Sequence, residues 1–128
     1  MIERIFPPGA PAPRGPYSPA VRAGDYIFVS GQVPIDPVTG QVIKGDVKAE
    51  TRQVLTNIQN ILAGCGATMA DVVRCGVFLI EADDFQAMNE VYAEFFGDSR
   101  PARSTIVAAR LPLKDAKVEI DAVAYKPA

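Results

Sequence analysis

The chain has 128 residues, with 13 basic against 15 acidic side chains, a formal charge of −2 and a pI near 5.1. Those totals leave no overall basic footprint of the kind that gathers nucleic-acid phosphates. Histidine is absent, which excludes Ser-His-Asp and Cys-His nucleophile systems and histidine-ligated metals, so any chemistry rests on Arg, Glu, Asp, Lys, Tyr, backbone groups or water.

At this length, with a hydrophobic fraction of 48%, one domain over residues 1–128 with a real core is expected. No apolar run approaches a membrane span, and the first eight residues lack the apolar segment of a secretory signal, so a cytoplasmic protein is expected. Residues 7–19 hold six of the eleven prolines and read as an extended arm with few N–H groups to give to a ladder. Within it, Gly15-Pro16-Tyr17-Ser18-Pro19 sets Tyr17 on a stiff backbone that can hold a ring over a pocket. A flexible arm without such a role is the alternative. Residues 20–23 and 26–30 flank Gly24-Asp25, a hairpin with the glycine-first turn that type II′ prefers. The run Tyr26-Ile27-Phe28-Val29 is apolar throughout, which predicts burial on both faces. Ser30-Gly31-Gln32 ends that strand, and Asp36-Pro37-Val38-Thr39-Gly40 reads as a turn.

Asp46 is a good N-cap for a helix with Glu50 in its first turn. Val47, Val54, Leu55, Ile58, Ile61 and Leu62 share one face of it, and Gly64 and Gly66 stop it. A strand over 72–80 and a helix over 84–96 follow. Cys65 and Cys75 form no Cys-x-x-Cys and read as two buried, reduced thiols. On the second helix Asn89 falls among Phe85, Met88, Val91, Tyr92, Phe95 and Phe96. It is either satisfied by backbone groups in the core, the default, or faces a cleft. Strands over 102–108 and 118–125 close the chain. Alternation puts Arg103, Thr105 and Val107 on one face of the first, and Glu119, Asp121, Val123 and Tyr125 on one face of the second.

This order fits an α+β sandwich with two helices on one sheet face. The other face is expected to carry Arg103, Glu119, Val123 and Tyr125 together, a mixture suited to a subunit interface with clefts. An arginine on a strand suits the gripping of a planar anion through two parallel hydrogen bonds. A glutamate aimed at the same cleft supplies proton chemistry, so a small carboxylate is the expected substrate. The non-catalytic alternative is a buried ion pair of Arg103 with Glu119 or Asp121 that fixes oligomer register.

Five segments stand in order along the chain: Gly15-Pro16-Tyr17-Ser18, Phe28-Val29-Ser30-Gly31-Gln32-Val33-Pro34, Asn89-Glu90-Val91-Tyr92, Pro101-Ala102-Arg103-Ser104 and Val118-Glu119-Ile120-Asp121. On these the chain resembles the RidA/YjgF proteins, enamine and imine deaminases of which some were earlier described as translation inhibitors or endoribonucleases. The resemblance implies a chorismate-mutase-like α+β subunit and a homotrimer with clefts between subunits. It implies hydrolysis of small 2-imino acids, such as 2-iminobutanoate and 2-iminopropanoate, to 2-keto acids and ammonia, with no metal and no organic cofactor. It assigns the substrate carboxylate to Arg103 and the work on water or imine nitrogen to Glu119. Tyr17, Ser30, Gly31, Asn89 and Thr105 are the remaining substrate-binding positions. Thr105 stands where many deaminating members carry cysteine, so no thiol nucleophile is available there. Two other readings are a non-catalytic binder of small 2-keto acids, and RNA cleavage or binding, which the missing histidine and the acidic pI oppose.

Overall fold

The computed structural model describes residues 1–128. Strands β1 (Ile2–Ile5), β2 (Ala20–Ala23), β3 (Tyr26–Gln32), β4 (Val72–Leu79), β5 (Ala102–Val107) and β6 (Val118–Tyr125) form one sheet in the order β1-β2-β3-β6-β4-β5. All neighbours are antiparallel except β4 and β5, which are parallel. Helices α1 (Val47–Gly64) and α2 (Phe85–Phe96) pack on one face. Neither is long and apolar enough to cross a membrane.

Local chemistry explains most of these bounds. Gly24 takes a φ of +62° in the β2–β3 turn, where Ala23 pairs with Tyr26, a conformation glycine adopts without steric cost. Asp46 caps α1, its Oδ1 accepting the Ala49 N–H at 2.9 Å, an arrangement worth about 1 kcal/mol. At the other end the Cys65 N–H turns back onto the Ala63 and Leu62 carbonyls. Strand β1 is the element the sequence reading lacked. Ile2-Glu3-Arg4-Ile5 has no apolar alternation of its own and is a strand because it pairs with β2.

The core lies between the helices and one sheet face. Ile27, Val77, Leu79 and Ile120 of the sheet meet Leu55, Ile58, Leu62 and Met88 of the helices, all at or near zero exposure. Each such side chain contributes about 1.5–3 kcal/mol of burial. The other face is not covered by this chain. Burial of Tyr26 and Phe28 was expected, but they are 45% and 47% exposed, and Tyr125 beside them is 44% exposed. The apolar run was read as doubly buried, yet both helices lie on the same side and no further element exists to cover the second. The cysteines differ in a similar way: Cys75 is buried in the core, whereas Cys65, at the α1 C-cap, is half-buried.

Two buried polar residues of α1 fix what lies near the open face. Glu50, 1% exposed, accepts the Lys117 N–H at 2.7 Å and pairs with Lys117 Nζ at 3.3 Å, anchoring the start of β6. Asn57 is fully buried and donates from Nδ2 to the Ile35 carbonyl at 2.8 Å. That bond ties the segment after β3 to the helix.

Candidate active site

A bulge in β3 builds the first half of the site. Val29 pairs with Ala122 and Gln32 with Ile120, so β3 carries one extra residue across Ser30-Gly31. Bulges re-aim side chains at strand ends. Here the bulge lays the bare backbone of Gly31 against the Glu119 carboxylate, in space that a Cβ on residue 31 would occupy. The Ser30 hydroxyl donates to the Ser18 carbonyl at 2.6 Å, and the Ser30 N–H donates to the Pro19 carbonyl at 3.0 Å. These bonds fasten the proline arm to the end of β3, so the arm is a wall and not a loose tail. Tyr17 stands on it half-exposed, its hydroxyl accepting the Arg14 N–H at 3.3 Å. The result is a cavity of about 520 Å³ walled by Pro11, Pro13 and Tyr17 of the arm, Ser30 and Gly31 of β3, Val33, Ile35, Pro112 and Leu113, with Glu119 in it.

Glu119 is half-buried, and its carboxyl is pushed above the usual carboxylate range, first by burial and then by the charge of Asp121. A carboxyl raised in the folded state binds more protons folded than unfolded between the ordinary and the raised value. Stability therefore falls as pH rises through that window and is highest below it. Glu119→Gln, neutral throughout, is expected to melt at a higher temperature than the parent near about pH 7 and to converge with it at or below about pH 4. Thermal melts of both proteins across that range check this, and equal melting temperatures at neutral pH would contradict it.

Arg103 belongs to the second half. It lies on the helix-facing side of β5, opposite Cys75. Its Cζ sits 4.7 Å from the Tyr92 ring centroid and 5.7 Å from that of Phe85, with Nη1 4.0 Å from Met88 Sδ. Those contacts are cation–π and soft, and no carboxylate pairs with the guanidinium. Asn89 is half-buried on α2, one turn from both rings. Thr105 is half-buried two residues beyond Arg103 on the same face. The Tyr92 hydroxyl is buried without a hydrogen-bond partner, and burial, with the Cys75 thiol beside it, pushes its pKa far above the ordinary tyrosine value.

The expectation that Arg103 shares a face with Glu119, Val123 and Tyr125 is therefore corrected. Alternation within each strand was read properly, but the phase between strands comes from the register. Arg103 pairs with the core residue Cys75, whereas Glu119 pairs with Phe78, whose side chain lies on the open face. Within one protomer the two side chains lie on opposite faces and cannot form an ion pair or share a hollow. Tyr17, Ser30 and Gly31 gather with Glu119, while Asn89 and Thr105 gather with Arg103. The sequence reading missed the Pro112-Leu113 wall, for which no local signal exists. It also missed Phe85 and Tyr92 as the seat of Arg103, although aromatics at helical spacing around Asn89 were the clue.

Comparison with known proteins covers almost the full length. The endoribonuclease L-PSP family model matches residues 8–126. A RutC family protein of Pyrococcus horikoshii is 53% identical over 126 residues, spanning 98% of this chain and 99% of that protein. A 2-iminobutanoate/2-iminopropanoate deaminase of Capra hircus is 45% identical over 127 residues, spanning 98% of this chain and 92% of that protein. The structure of E. coli TdcF with bound serine matches with a TM-score of 0.91 at 38% identity, over 97% of this chain and 98% of the other. With its fold, its length and up to 53% of its residues held in common with these proteins, the chain belongs to the RidA/YjgF (RutC) family.

Proposed function

We propose that the protein is an enamine/imine deaminase acting on small 2-imino acids, 2-iminobutanoate and 2-iminopropanoate among them, in a homotrimer whose sites lie between subunits. The observation that carries this reading is the division of the site. One face bears a half-buried acid in a cavity whose lining cation, Arg14, is taken up by the Gly40 carbonyl, and the other bears an arginine without an anion. A second copy docked on the apolar sheet face around Phe28 and Tyr125 would bring its own Arg103 to the Glu119 cavity and complete the cleft. Kinship with the Capra hircus deaminase supports the same chemistry.

In this scheme Arg103 of one subunit holds the substrate carboxylate, a charge-assisted contact worth about 1.5–3 kcal/mol. The carboxylate adjoins the reacting carbon, so the contact also sets the angle of attack. Glu119 of the other subunit takes a proton from water as the oxygen bonds to the iminium carbon and the C=N pair moves to nitrogen. The carboxyl then returns that proton to the amino group, the C–N bond breaks, and the hydroxyl proton leaves as the ketone forms, giving a 2-keto acid and ammonia. Gly31 lets the Glu119 carboxylate lie against bare backbone, and Tyr17 covers the pocket. No thiol takes part: Thr105 replaces the cysteine common in the family, and Cys75 is sealed in the core. One positioned acid–base group gives roughly 10²–10⁴-fold, a sufficient gain for an imine that already hydrolyses in water.

The test couples a threonine dehydratase to the protein and follows imine decay and keto-acid release. Acceleration is expected from the parent. Arg103→Lys is expected to lose roughly 10-fold to 10²-fold in kcat/KM, because a point charge cannot reproduce the planar fork. No acceleration by the parent overturns the reading, and keto-acid binding without acceleration marks a non-catalytic binder instead.

A further inference from the structure

Two carboxylates lie in line on the open face of β6, each beside a glycine of a flanking strand. Glu119 lies against Gly31 of β3. Asp121 lies against Gly76 of β4, where an added Cβ would stand 2.7 Å from Asp121 Oδ1. The two differ in anchorage. Asp121 Oδ1 accepts the Gly76 N–H at 2.7 Å, whereas no protein group donates to the Glu119 carboxyl. Same-face neighbours on a strand stand about 7 Å apart, within the Debye length of roughly 8–10 Å.

The other polar groups on that side are engaged elsewhere. Arg14 of the arm donates to the Gly40 carbonyl at 2.6 Å, and Arg74 of β4 donates to the Ser104 hydroxyl at 3.3 Å. Gln32 of β3 donates to the Ser30 carbonyl at 3.3 Å, and the Ser30 hydroxyl to the Ser18 carbonyl at 2.6 Å. The Pro112-Leu113 wall carries no charge. Within one protomer Asp121 is therefore the charge that bears on Glu119, since the Lys117 ammonium two residues the other way is paired with Glu50 at 3.3 Å.

We infer that Asp121 is a positioning residue for Glu119, a pinned negative charge that lets the neighbouring carboxyl hold a proton and so act as donor as well as acceptor. This rests on the reading of Glu119 as the acid–base group. Burial disfavours the charged Glu119 first, and Asp121 adds to the same direction. The returned proton in the second half of the reaction is the step that needs such a group, since a carboxyl that ionises too readily is a poor donor to the departing nitrogen. Asp121 does not touch substrate in this arrangement, because its carboxylate is turned onto the Gly76 backbone.

Asp121→Asn removes the charge and keeps an oxygen that can accept from Gly76. The Glu119 carboxyl is followed by carbon-detected NMR titration in the parent and in Asp121→Asn, and the pH profile of imine hydrolysis is measured on both. The Glu119 midpoint is expected to fall in the variant, with the acid limb of the profile moving to lower pH alongside it. An unchanged midpoint overturns the inference, because a merely structural role would leave it where it was. If Asp121→Asn does not fold, Asp121→Ser is titrated in its place, with the same two outcomes. A parent that titrates as expected but hydrolyses no imine sinks the deaminase reading and leaves standing only the effect of the Asp121 charge on the Glu119 carboxyl.

Discussion

Mixing Arg103→Ala protein with Glu119→Gln protein is expected to raise imine hydrolysis above that of either variant alone. On the proposed arrangement each single variant loses one half of every cleft. Removing the charged anchor costs roughly 10-fold to 10²-fold, and removing the acid–base group costs roughly 10²–10⁴-fold. Because the two side chains sit on opposite sheet faces of one protomer, the proposed cleft between subunits takes Glu119 from one chain and Arg103 from the next. In trimers assembled at random from equal amounts of the two variants, roughly one quarter of the clefts receive both intact residues, the product of two one-half chances under closed symmetry. Co-expression, or joint unfolding and refolding, provides the mixing, and the dehydratase-coupled assay provides the readout. Activity no higher than the average of the two separate variants would mean that each cleft is built from a single chain or that these residues do not share one.

Gly31→Ala has the second large effect. Gly31 does not adopt a positive φ, so its backbone admits alanine and the consequence is steric. An added Cβ would overlap Glu119 Oε2 and stand 3.1 Å from Cδ and 3.3 Å from Cγ. The carboxylate is the flexible partner and must swing away, leaving the position from which the proposed mechanism has it direct water. Turnover is expected to drop roughly 10²-fold or more. Stability is expected to change by only about 1–3 kcal/mol, the usual cost of overpacking. Steady-state kinetics beside a thermal melt separates the two effects. Turnover close to the parent would mean that the glycine does not set where Glu119 works.

Much of this molecule was legible in residue order alone. The Asp46 cap, the Gly24 turn, the apolar stripes of both helices and the bounds of β6 follow from short-range geometry, in which each residue's neighbours lie within one turn or one pleat. Which residues were chemically unusual was legible too, since Arg103 and Glu119 each interrupt an apolar strand. Only the tertiary structure decided how the pieces face one another. Strand β1 exists through its partner, the Ser30-Gly31 bulge through the register of β3 on β6, and the Pro112-Leu113 wall through the return of a distant loop. The separation of Arg103 from Glu119 is the clearest case. Alternation within a strand is a local property of the backbone, but a shift of one residue between strands exchanges every side chain from one face to the other. That phase is set by long-range pairs such as Cys75 with Arg103 and Phe78 with Glu119, which the packing of the core selects and no short stretch of sequence encodes.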